Sequence, residues 1–171
     1  MTSTIKVDTI QNSAGTTGLT IDSSGLILPK VPAFEVLKTS NQNLTSGTWT
    51  KITFNTENYD TSNSFDLANS KFQPTIAGYY QLNACLYFGS GTNTATLGII
   101  YKNGVLHRRL AYVYHTSASL DDYGIASACM VEANGSTDYF EVYGFAVGTA
   151  TVNGSSTGVE TIWSGHLVSV A

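Results

Sequence analysis

A chain of 171 residues carries 8 Lys and Arg against 12 Asp and Glu, a formal net charge of -4, and only 12% of its positions are charged. The cluster of Lys102, His107, Arg108 and Arg109 is too small a footprint for phosphate backbones, and no apolar run approaches the roughly 18 residues of a membrane span, so nucleic-acid binding and membrane insertion are excluded. Polarity comes instead from 23 Thr, 18 Ser and 12 Asn, in a chain long enough to bury about 70% of its unfolded surface in one domain plus an appendage.

The first 31 residues differ from the rest. Ile5, Val7, Ile10, Leu19 and Ile21 are scattered among NSAG, TTG and DSSG turns, and Pro29 and Pro32 close the segment. Such a stretch cannot build a core by itself. Either it is disordered, or its apolar side chains are buried on a partner or between copies of the chain. Their regular spacing favours docking and makes residues 1–31 an attachment segment. The opening MTSTIKVDTIQ has neither the basic start nor the apolar stretch of a secretory signal, so synthesis in the cytosol is expected.

From residue 32 onward, Thr, Tyr, Phe, Val and Ile recur in short runs bounded by Gly, Asn and Ser, with no helical apolar period. Strands are predicted over 34–38, 49–54, 79–88, 96–102, 105–114, 123–131, 139–147 and 161–170. Alternation places Tyr80, Leu82, Ala84 and Leu86 on the core face of their strand and Tyr79, Gln81, Asn83, Cys85 and Tyr87 on the other. Asn103-Gly104, between two apolar runs, supplies the positive φ values of a two-residue hairpin. Turns between so many strands indicate a sandwich or jelly roll.

Catalytic chemistry has no motif here. Cys85 and Cys129 stand 44 apart with no CxxC, and the alternation puts them on opposite faces, so two free thiols are expected. His107, His115 and His166 lie in no HExxH or triad arrangement, and Ser164-Gly165-His166 sits on a predicted strand whose adjacent side chains diverge. The chain is expected not to be an enzyme and to need no cofactor. Asp121-Asp122, in a loop rich in hydroxyls, is the single acidic pair and the one candidate for calcium.

The run 65–80, FDLANSKFQPTIAGYY, resembles the globular head of the complement first component (subcomponent q) and the tumour necrosis factor superfamily. Three further stretches resemble it in order: Tyr101-Lys102-Asn103-Gly104, the turn and strand over 134–142, and the closing WSGHLV of 163–168. The resemblance covers residues 32–171. It implies an all-β jelly roll of about ten strands forming a parallel homotrimer, with aromatics near the threefold axis, both termini at one end, and calcium near the apex in some relatives. Ser70, Ala77 and His166 depart from the family pattern, and the turn at 133–137 is longer.

The leader, STIKVDTIQNSAGTTGLTIDSSG, is similar to attachment and shaft segments of bacteriophage virion proteins. The two resemblances imply a non-enzymatic phage fibre or spike protein, located on the virion. It would be held to other virion proteins through residues 1–31, and its head would meet a host-surface glycan or protein. A capsid decoration or head-fibre protein is the alternative. With the termini at one end, the loops 39–48, 89–95, 114–122 and 148–158 form the distal surface. Their amides and hydroxyls suit sugar hydroxyls, with Tyr112, Tyr114 and His115 as stacking platforms and Asn93 and Asn153 as polar contacts.

Overall fold

Among the described residues, 6–29, 31–89, 91–114, 122–157 and 160–171, the computed structural model of the chain contains sixteen β-strands and no helix. Two compact units divide it, Met1–Val31 and Pro32–Ala171.

In the first unit, β1 (Thr9–Gln11), β2 (Thr17–Ile21) and β3 (Ile27–Pro29) form an antiparallel meander in the order β1-β2-β3. Both turns are built alike. The Asn12 Oδ1 accepts the N–H groups of Ala14 and Thr16, and the Asp22 Oδ1 accepts those of Ser24 and Leu26. Gly15 and Gly25 take the positive φ that each turn requires. None of its described side chains is buried, and Ile10 and Leu26 are 54% and 62% exposed. Three short strands have too little apolar surface to bury it within themselves.

The second unit is a sandwich of two antiparallel sheets. Its strands are β4 (Ala33–Leu37), β5 (Gln42–Leu44), β6 (Thr50–Lys51), β7 (Thr56–Asp60), β8 (Phe65–Asp66), β9 (Lys71–Phe72), β10 (Ala77–Phe88), β11 (Asn93–Lys102), β12 (Val105–Tyr114), β13 (Tyr123–Asn134), β14 (Phe140–Gly148), β15 (Ala150–Val152) and β16 (Ile162–Val170). The first sheet runs β13-β10-β16-β4-β7, with β15 and β5 continuing from the Phe88 end of β10. In the second sheet the order is β12-β11-β14, and β6 and the β8–β9 pair lie on the far edge of β14.

Alternation sorts the faces as the sequence predicts for β10: Tyr80, Leu82, Ala84 and Leu86 are buried, while Tyr79 is 45% exposed. Cys129 faces the core side opposite Leu82, and Cys85 faces outward beside Ala126; both thiols are free. Of the predicted strand over 49–54 only Thr50–Lys51 forms regular ladder; Ile52, whose N–H still donates to the Val142 carbonyl, and Phe54 continue as chain buried in the core. β5, β7, β8, β9 and β15 are additional. β7 reads TENYD and lies at a sheet edge, where polar residues leave no apolar alternation to detect.

Aromatic rings knit the sheets together. Trp163 of the first sheet meets Phe34 and Phe65 edge-on at 5.3 Å each, and Phe34 stacks on Phe72 of the second sheet at 4.4 Å. Gly165 permits this approach, since a Cβ there would lie 2.6 Å from Leu82 Cδ2 and 2.7 Å from Phe34 Cε1.

One end of the sandwich is fastened by Asp138. Its carboxylate accepts hydrogen bonds from Lys102 Nζ (2.9 Å), Asn103 Nδ2 (2.8 Å) and the Asn134 N–H (3.0 Å). The carboxylate thereby ties the 103–104 hairpin, with φ of +54° and +76°, to the 134–138 turn. Pro32 and Ala171 bond to this end of the first sheet through the Leu167 N–H and the Ala77 carbonyl. Described parts of 39–48, 89–95 and 148–158 meet at the opposite end, through Gly47 to Ala146, Thr149 to Thr92, and Gly154 to Asn41.

Burial by itself would raise the Asp138 carboxyl, but the Lys102 ammonium and the amide donors outweigh it and hold it below 3.8. A carboxyl depressed in the folded state adds stability above its unfolded value and loses it as pH falls through the folded value. Asp138→Asn is therefore expected to cost about 1–3 kcal/mol near neutrality. It should also flatten the acid limb of the stability profile below pH 4, as read by urea unfolding at stepped pH.

Candidate functional site

Side-chain size is inverted along β14. Its inward positions include Gly144 and Ala146, whereas Tyr143, Phe145 and Val147 face away from the core. Gly144 is needed because a Cβ there would lie 3.0 Å from Ile52 Cδ1 and 3.3 Å from Leu44 Cδ1. With those interior positions filled from other strands, Tyr143 and Phe145 face outward, while Phe140 at the start of β14 stays in the core.

The register carries them across the sheet. Tyr112, Leu97 and Phe145 lie in one row, Arg109, Ile99 and Tyr143 in the next. Trp49 packs on Phe145 at 4.8 Å, and Tyr101 stacks on Tyr143 at 4.0 Å. These flanking groups cover Leu97 and Ile99, which are 5% and 0% exposed although they sit on the outer face. Tyr112 and Tyr114, at 58% and 66% exposure, continue the aromatic surface to the sheet edge.

Charge on this face is sparse. Lys51, opposite Tyr143, is 3.0 Å from Glu141 and also donates to the Asn69 carbonyl. Burial raises the Tyr143 hydroxyl above its ordinary value, with Glu141, Tyr101 and Tyr139 adding to the effect. Arg109 is exposed and, among the described residues, its guanidinium has no hydrogen bond or ion pair.

At the distal end, Asn43, Ser46, Gly91, Thr92, Thr149 and Thr151 line a cleft of about 500 Å³. Its polar groups largely satisfy one another: the Thr151 hydroxyl donates to Asn43 Oδ1, the Gly148 N–H to Ser46 Oγ, and the Thr92 and Thr149 hydroxyls lie 2.7 Å apart. Among the described residues no charged group lines it.

The sequence-predicted binding residues separate accordingly. Tyr112 and Tyr114 are exposed on β12. Asn153 is half-buried in the distal loop, its side chain lying against Gly89. Asn93 corrects the expectation of a ligand contact: it is fully buried, accepting the Tyr123 hydroxyl at 3.2 Å and donating to the Thr149 carbonyl at 3.4 Å. His115 and Asp121 lie outside the described residues, as does Ile5 of the leader. Asp122 is exposed just before β13 and by itself makes no cation site; among the described residues no three His, Cys, Asp or Glu gather. In the leader, Val7 and Ile10 are exposed, and Leu19 and Ile21 are half-buried.

The sequence reading names Arg109 only within a small basic cluster and does not single out Tyr143, Phe145 or Trp49. The available signal was the run FEVYGFAVG, whose small residues fall on one parity and whose aromatics Tyr143 and Phe145 fall on the other.

Comparison of the sequence with family models and with curated proteins returns no match. Solved structures do match the fold. The globular domain of zebrafish complement 1qA protein superposes with a TM-score of 0.60 at 15% identity, over 82% of this chain and 99% of that one. Eiger TNF from S. frugiperda gives 0.60 at 11% identity, over 82% and 94%. Murine APRIL at pH 8.0 gives 0.62 at 8% identity, over 81% and 99%. The head is thus an all-β jelly roll of the complement and tumour necrosis factor type, as the resemblance in the sequence implies.

If Asn93 is a brace, Asn93→Ala should lower stability by about 1–3 kcal/mol, because it removes the buried amide that accepts from the Tyr123 hydroxyl and donates to the Thr149 carbonyl. Thermal unfolding reads the effect, and a variant as stable as the parent would return Asn93 to the binding surface.

Proposed function

We propose that the chain is a non-enzymatic, homotrimeric bacteriophage virion protein of fibre or spike type. Residues 1–31 fasten it to other virion proteins, and the jelly-roll head meets a receptor or glycan on the host surface. The observation that carries this reading is the pairing of a meander without a core of its own with a head whose core is complete. All the residues of the hydrophobic core lie between Phe34 and Leu167. The leader keeps Val7, Ile10, Leu26 and Ile27 exposed, and apolar side chains on so small a unit are stabilised by covering them with another surface.

Self-association of the head is supported by the outer face of the first sheet. Cys85, Ala126, Ile162 and Ser164 line a shallow hollow of about 430 Å³ there, with Tyr79 and Met130, 45% and 44% exposed, nearby on β10 and β13. Small side chains permit close approach, and large ones at the margin supply burial. Packing through this face leaves the aromatic face of the second sheet available for a host ligand, and three copies raise a weak affinity by avidity.

Deleting residues 1–31 tests both halves of the proposal. The truncated head, which keeps its whole core, is expected to remain a soluble trimer that melts cooperatively, to be missing from purified particles, and in excess to slow particle adsorption to host cells. Truncated head incorporated at normal levels, or adsorption indifferent to excess head, would contradict the reading.

A further inference from the structure

We propose that the outer face of the second sheet binds an acidic sugar chain, with a sugar carboxylate on Arg109 and neighbouring rings against Tyr112 and Tyr143. This rests on the reading of the head as a host-binding module and names the ligand class of its aromatic face.

Charge carries the assignment. The chain has an excess of acidic residues, yet among the described residues the Arg109 guanidinium on this face has no acidic partner. The carboxylate of this face, Glu141, is paired with Lys51, while the Arg109 guanidinium has no ion pair or hydrogen bond among the described residues. A planar guanidinium presents parallel N–H groups that fit a carboxylate two-pronged. One such group amid aromatics suits a single anion within a sugar, whereas a polyphosphate requires a basic patch.

The neighbours supply the rest of the site. Ile99 separates Arg109 from Tyr143 by two strand spacings, about 10 Å in all, and Tyr112 is the next outward-facing residue of β12 beyond the irregularity in register after Arg109. A carboxylate on Arg109 therefore leaves adjoining sugar rings over aromatic faces, which take their apolar C–H surfaces. Leu97 and Ile99, the aliphatic side chains that would anchor a protein partner, are covered. Tyr143 is held by its stack on Tyr101, so little side-chain entropy is lost on binding.

The test uses the full chain over surfaces bearing oligogalacturonate, neutral dextran and dextran sulfate. Oligogalacturonate is expected to bind best, and Arg109→Gln to weaken it by about tenfold or more, with Arg109→Lys falling between. Tyr112→Ala should also weaken binding, and all three variants should melt with the parent because both side chains are exposed. Equal binding by Arg109→Gln, absence of oligogalacturonate binding, or equal or tighter binding to dextran or dextran sulfate would overturn the proposal. Adsorption blocked equally well by parent and Arg109→Gln would also overturn it while leaving host binding by the head intact.

Discussion

The contact of Trp163 with Phe34 and Phe65 is the interaction on which the head depends, because it joins residues of both sheets at one point. Truncating a buried aromatic of this kind costs about 3–5 kcal/mol, a large share of the stability of a domain this size. The ring is retained although, among the described residues, its Nε1 has no hydrogen-bond partner, an omission that costs about 1–3 kcal/mol. Packing therefore outweighs polar satisfaction at the centre of the core, and Gly165 is the concession that lets Phe34 and Leu82 close around the same point.

The volume filled by these rings explains what lies outside. With Phe54, Phe72, Tyr80 and Phe140 already inside, the second sheet has room at its middle for Gly98, Gly144 and Ala146, and its remaining aromatics face outward. The two outer faces consequently differ in chemistry. One offers small side chains around Cys85 and Ala126; the other offers tyrosine, phenylalanine and tryptophan around a lone arginine. The proposal that the head assembles through one face and binds through the other rests on this division.

Much of the head was legible in the sequence because strand alternation has a period of two and hydrophobic burial a definite sign. Tyr80 to Leu86 satisfy both rules, and Asn103-Gly104 announces its hairpin through backbone sterics alone. β14 obeys the period, but past Phe140 and Val142 its inward positions are Gly144 and Ala146 while Tyr143 and Phe145 face outward, so apolarity alone does not tell its faces apart. Asn93 failed for a related reason: a polar residue beside a glycine-rich loop reads as exposed, and its burial depends on Tyr123, 30 positions away. β5 and β7 are held by ladders to distant strands, which local composition does not encode.

The central claim is the assignment of the two faces, and electron cryomicroscopy of the assembled full chain measures it directly. Threefold density in which neighbouring copies cover Cys85, Ala126 and Ile162 and leave Arg109, Tyr112 and Tyr143 open is the predicted result. Neighbouring copies seated on the aromatic face, or a head that stays single, would contradict the account.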